Sequence, residues 1–154
     1  MRALLIAAVV FVVASISTAG WCQQPGEQPY NAQVWGSPLK MAGPEAWSYA
    51  ITNTSTSPNY TVWLVSIEVD EGTEVNNVYT PKGWAADWSE PHFITLISTQ
   101  TDLPAGQSKS GFVAEFNARP EYQNWSAMFN NVADPFESPT TGGSVLTIPE
   151  PGSL

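Results

Sequence analysis

The sequence predicts an all-β protein, an antiparallel β-sandwich, and three observations carry that reading. Large apolar residues alternate with small or polar ones over several short stretches, the period-two signature of half-buried strands. No stretch of helical length repeats its apolar residues at the 3.6-residue period. Prolines (13) and glycines (11) cut the chain into pieces too short for long helices. Short strands separated by frequent turns bury their apolar faces by packing one sheet on another.

The elements follow in order. Residues 20–44 are rich in Gln, Pro and Gly, with Tyr30 and Trp35 as isolated aromatics, and read as an extended leader or an edge strand. The sandwich is expected over 45–139. It starts with Trp47-Ser48-Tyr49-Ala50-Ile51-Thr52-Asn53, which alternates cleanly, and Thr54 to Asn59 supplies a turn. Tyr60 to Val69 is the strongest strand, with Trp63, Val65, Ile67 and Val69 expected on one face and Val62, Leu64, Ser66 and Glu68 on the other. Asp70-Glu71-Gly72-Thr73 turns the chain into a short strand, Val75 to Tyr79. His92 to Ser98 alternates again, with Ile94 and Leu96 opposite Phe93, Thr95 and Ile97. Leu103-Pro104-Ala105-Gly106-Gln107-Ser108 makes a tight turn into Ser110 to Asn117, where Phe112, Ala114 and Phe116 share a face. Trp125 to Phe129 and Gly143 to Ile148 complete the set, and 140–154 reads as a Gly- and Pro-rich tail. Trp47, Trp63 and Trp125 sit in strand patterns and belong to the expected core.

Charge and cysteine content narrow the function. The formal charge is −9 at pH 7, a field that repels phosphate backbones and argues against nucleic-acid binding. Cys22 is the one cysteine, so no intramolecular disulfide forms and stability must come from packing.

Both ends look like export signals. Arg2, the apolar run Ala3 to Ala14, and the small residues Ser17 and Ala19 fit a secretory signal peptide, residues 1–19, cut before Gly20. At the other end stands Thr147-Ile148-Pro149-Glu150-Pro151-Gly152-Ser153-Leu154. Its triplet Pro149, Glu150, Pro151, following an aliphatic residue and a Gly-rich spacer, resembles the sorting motif of bacterial PEP-CTERM proteins. Members of that class are exported and processed at the cell envelope, and they continue past the triplet with an apolar membrane segment and an arginine-rich tail. This chain has neither, so a truncated C-terminus is expected. The resemblance implies envelope sorting machinery of the exosortase kind as a partner where the full C-terminal signal exists. Two internal patterns, Trp47 to Asn53 and Leu103 to Ser108, resemble exported immunoglobulin-like bacterial domains, so the resemblance implies an immunoglobulin-like sandwich. Asn53, where a strand ends, is placed to turn its side chain onto nearby backbone.

The residues for most reaction centres are missing. A Ser/His/acid triad needs a histidine, and only His92 exists; it begins a strand and has no Gly-x-Ser-x-Gly elbow to serve. One histidine and one cysteine also make a catalytic zinc site improbable, and no phosphate or dinucleotide loop is found. No cofactor is expected. Two weaker constellations stand out. Glu68, Asp70, Glu71 and Glu74 gather oxygen ligands of the type calcium prefers, with a solvated turn as the plainer alternative. Trp84, Asp87 and Trp88 combine two indoles and an acid in an expected loop, a candidate sugar contact, with simple packing as its alternative. The expected function is that of a non-catalytic exported protein of the cell surface or extracellular matrix. The competing readings are a carbohydrate-binding module contacting extracellular polysaccharide through the loop tryptophans, and a hydrolase, which would need two carboxylates facing one cleft.

Overall fold

A computed structural model describes residues 28–40 and 45–147. The expected signal peptide 1–19, Cys22 and the triplet 149–151, expected to be a sorting motif, lie outside the described residues. The described residues form ten strands: β1 (Ala32–Leu39), β2 (Glu45–Asn53), β3 (Tyr60–Val69), β4 (Val75–Tyr79), β5 (Trp84–Asp87), β6 (Phe93–Ser98), β7 (Ser108–Phe116), β8 (Gln123–Asn131), β9 (Thr140–Ser144) and β10 (Leu146–Thr147). They form two five-stranded sheets, ordered β10-β1-β2-β7-β4 and β5-β6-β3-β8-β9. Every pairing is antiparallel except β1 with β10. The described residues contain no helix, and the architecture is an immunoglobulin-like β-sandwich.

The core lies between the sheets and follows the alternation of the strands. Phe112, Ala114 and Phe116 on β7 are each 1% exposed, and Ile94 and Leu96 on β6 likewise. Fully burying one such large side chain contributes about 1.5–3 kcal/mol. Strand β3 departs from strict alternation. Its register with β8 shifts between Val62 and Leu64, so Val62 joins Val65, Ile67 and Val69 in the core. Trp63, expected inside with Trp47 and Trp125, is instead half-buried and off that core. A bulge inserts one residue and exchanges the two faces beyond it, and nothing in the alternation of β3 announces it.

The sheets also reach further along the chain than residues 45–139. Strand β1 pairs with β2 along its whole length, Ala32 with Asn53 through Leu39 with Ala46, and it lies between β2 and β10 rather than at an edge. The spacer Thr140 to Gly143 belongs to β9, paired with β8. A Cβ on Gly142 would stand 2.7 Å from the Trp125 carbonyl oxygen, so glycine here permits the close approach of two backbones.

Two buried polar contacts join segments distant in sequence. Tyr49 on β2 donates its hydroxyl hydrogen to Gln123 Oε1 on β8, tying one sheet to the other; burial pushes the Tyr49 pKa far up. Asn53, fully buried, donates through Nδ2 to the carbonyls of Tyr60 and Leu103, both at 2.9 Å, and accepts from Ser55 N–H at 3.0 Å. Backbone bonds run beside it, Gly106 N–H to Asn53 O and Asn53 N–H to Gln107 O. The turn that brings Gly106 there needs its φ of +78°, a value glycine adopts without strain. The two patterns noted in the sequence, 47–53 and 103–108, therefore meet, and Asn53 is where they join.

Candidate functional site

The tryptophan pair does not form a platform. Trp84 begins strand β5 rather than lying in a loop, is 8% exposed, and meets Phe112 edge to face with ring centroids 5.3 Å apart. Its indole is a core ring with no face for a sugar. Trp88 is half-buried and packs against the same core, and Asp87 Oδ1 accepts from Ser89 N–H at 2.9 Å, holding the bend that follows. Alternation across β5, whose register matches Trp84 with Ser98 and Asp87 with Thr95, is what draws Trp84 inward.

The acidic turn is equally committed to structure. Asp70 Oδ2 accepts from Thr73 Oγ1 at 2.8 Å and Oδ1 from Glu121 N–H at 2.7 Å. Burial pushes its pKa up, but these bonds and others from the Asp70 and Tyr122 backbone outweigh that and hold it below the usual carboxylate value. Glu71 and Glu74 are exposed and Glu68 is half-buried. Tyr122 stands nearby, 46% exposed. Partial burial first, then the charges of Glu68, Asp70 and Glu71, raise its pKa. Among the described residues no three His, Cys, Asp or Glu side chains converge to hold a metal ion. His92 braces this same end, its Nδ1 lying 2.8 Å from the Thr73 carbonyl; a carbonyl only accepts, so Nδ1 carries the proton.

A second carboxylate hub escaped the sequence reading. Asp102 accepts from Ser98 Oγ, from Thr61 Oγ1 at 3.3 Å and from Asn130 Nδ2 at 2.6 Å, clipping together β6, β3 and β8.

The feature most exposed to contact is the β8–β9 loop, also unforeseen. It is built around Asn131, whose Oδ1 accepts from Ala133 N–H at 3.0 Å and whose Nδ2 donates to Glu137 Oε2 at 2.6 Å. Glu137 Oε1 accepts from the Tyr60 hydroxyl at 3.3 Å, and Tyr60 in turn packs against Tyr30 with centroids 5.4 Å apart. Burial, followed by the charge and hydrogen bond of Glu137, raises the Tyr60 pKa. Asp134 Oδ1 accepts from Phe136 N–H, Val132 N–H reaches Asn59 O, and Ser138 Oγ donates to Phe129 O. Held at so many points, the loop presents Phe136 at 96% exposure and Val132 at 67%. Composition conceals this display, because Phe136 differs from the core phenylalanines only in lying off a strand.

No family model matches this chain, and no curated protein does. Among solved structures, the inactive D437A mutant of the GH20 exo β-N-acetylglucosaminidase from Vibrio harveyi aligns with TM-score 0.48 and 9% identity, covering 77% of this chain and 18% of that enzyme. The chain thus spans under a fifth of that protein's length. The seventh ScaB type I cohesin from Pseudobacteroides cellulosolvens aligns with TM-score 0.42 and 11% identity, covering 78% and 96% of the two chains. A cohesin module from the family 33 glycoside hydrolase of Clostridium perfringens aligns with TM-score 0.42 and 8% identity, covering 77% and 98%. Among the described residues, no helix is long and apolar enough to cross a membrane.

Proposed function

We propose that this chain is a non-catalytic, exported β-sandwich of PEP-CTERM type that serves at the cell surface or in extracellular matrix by contact rather than by turnover. The observation that carries the reading is the β8–β9 loop, a firmly tethered support that holds Phe136 and Val132 in solvent. Loops on a rigid scaffold are the usual carriers of binding, and an apolar ring contributing nothing to the core is free to contact a partner. Three of the residues singled out in the sequence support the same reading, since Asp70, Asp87 and His92 bond to turns. Envelope sorting machinery of the exosortase kind is the partner the triplet 149–151 suggests, and extracellular polysaccharide is the surrounding material.

Export is the testable core. The full coding sequence is expressed in a secreting bacterium, cells are fractionated, and the first residue is identified by mass spectrometry. The expected result is protein in the envelope or medium beginning at Gly20. Protein held in the cytosol with residues 1–19 intact overturns the reading.

A further inference from the structure

The outer face of the first sheet carries two aromatic rings that neither the core nor the loops account for. Gly36 faces inward, since a Cβ there would meet Val145 Cγ1 at 2.8 Å and the rings of Trp47 and Tyr49 at 3.3 Å. Alternation therefore turns Trp35 outward, and it is half-buried and stands apart from the core cluster. Register extends the face across the sheet. Trp35 pairs with Ala50, which pairs with Ser110; one step along the strands, Ser37, Ser48, Val113 and Tyr79 make a continuous row. On the other side Gln33 pairs with Thr52 and Thr52 with Ser108, whose hydroxyls lie 2.8 Å apart and confirm the direction of these side chains. Tyr79 is 52% exposed. Three strand spacings and one two-residue step separate it from Trp35 by about 15 Å.

This surface has a specific chemical character. Between the rings the floor is made of Ser48, Ala50, Ser110 and Val113, all too short to bury either ring. Among the described strand residues, Glu115 is the one charged side chain whose register falls on the face, at its far end beside Asn77. An acidic protein thus keeps one broad sheet face nearly free of charge, lined by hydroxyls, the amides of Gln33 and Asn77 and the apolar Ala50, Val113 and Leu146, and marked by two rings. A sugar ring fits each part. Its C–H face stacks on the electron-rich face of an aromatic ring, its hydroxyls exchange hydrogen bonds with Ser, Thr and Gln, and an uncharged chain meets no repulsion from the −9 protein. A second protein copy fits less well, because stable interfaces bury about 1,200–2,000 Å² around an apolar centre, and here Ser48 and Ser110 interrupt Ala50 and Val113 between the two rings.

We propose that the outer face of the sheet β10-β1-β2-β7-β4 binds a neutral glycan chain laid across the strands between Trp35 and Tyr79. The site is independent of the β8–β9 loop, and its test does not depend on export, so either reading can fail alone. Purified protein is run in native gels containing hydroxyethylcellulose, xylan, laminarin or dextran, and retardation is compared with gels lacking glycan. At least one of these is expected to retard the chain. Trp35→Ala and Tyr79→Ala should each weaken retardation about tenfold, Trp35→Phe should retain most of it, and Trp88→Ala should change nothing. Folding of each variant is checked by circular dichroism, and Tyr79→Ala, at an exposed edge-strand position, serves as the reading should Trp35→Ala not fold. Retardation by none of the four glycans overturns the proposal, as does retardation that survives loss of Tyr79 or disappears with Trp88. Concentration-dependent dimerisation abolished by Trp35→Ala or Tyr79→Ala would overturn it in favour of self-association.

Discussion

At each end of the sandwich one polar side chain gathers several hydrogen bonds, and the two differ in kind. At one end Asn53, a neutral amide with no exposure, bonds Tyr60, Leu103 and Ser55. At the other Asp70, a carboxylate nearer to solvent, bonds Thr73 and Glu121. A buried amide can complete its bonds without carrying charge into the interior, whereas a carboxylate does so only while ionised and near water. At the Asn53 end the displayed loop is held by an amide and carboxylates together, Asn131 with Glu137 and Asp134, while at the other end the Asp70 carboxylate holds a turn. The contrast teaches that Asp70 marks a turn, while the place for contact is organised by an amide together with the carboxylates that accept from it and from its neighbours.

The largest expected effect comes from Asn53→Ala. It removes the side-chain partner of the Tyr60 carbonyl and of the Ser55 N–H and one of two bonds at the Leu103 carbonyl, which keeps the Val62 N–H, a loss of about 3 kcal/mol and roughly 10 °C in Tm, read by thermal unfolding. The comparison breaks if the loss is no greater than that of Asp70→Asn. That second substitution should cost about 1 kcal/mol at neutral pH, and its signature is in acid. Because the Asp70 pKa is lowered by folding, its contribution is fully present above the unfolded value, about 3.9, and is lost as pH falls through the lower folded value. Acid unfolding of Asp70→Asn should accordingly be less steep, and amide exchange in acid should quicken at Thr73 and Glu121 before Asn53.

The Asn53 end responds to base instead. Tyr60 has its pKa raised by burial and by Glu137, so its contribution is whole below the ordinary tyrosine value, about 10, and disappears as pH rises through the raised one. Tyr60→Phe should remove part of the alkaline instability, measured by unfolding above pH 9, though Tyr49, also raised by burial, keeps a share. Smallest in stability is Phe136→Ser, expected within about 0.5 kcal/mol of the parent. Its effect is on contact, and retention on isolated envelope material should fall while Tm holds. A large drop in Tm would mean that the ring packs on the fold and is no display.

Strand positions were largely legible. Tyr60 to Val69 was read with both ends correct, and Phe112, Ala114 and Phe116 were read on their shared face, because alternation of bulky and small residues states directly which side is dry. The role of Asn53 was legible too, since an asparagine closing a strand has few other uses. The candidate site was not. Trp84 and Trp88 read as a pair in a loop because β5 is only four residues long, too brief for alternation to register. Trp35 read only as an isolated aromatic and Phe136 drew no reading, since a ring carries no mark of which surface it will face.

From local chemistry alone, the residues determined that short strands would form, where they would turn, and that one buried face per strand would have to meet another, because period-two patterning and backbone restrictions act over a few neighbours. Tertiary structure decided the rest. The bulge that moved Trp63 off the core, the partners that place 32–39 between two strands and pair 140–144 with β8, the meeting of Asn53 with Leu103, and the outward faces of Trp35 and Tyr79 all depend on pairing between strands far apart in the chain, and register is a property of two strands that neither one encodes by itself.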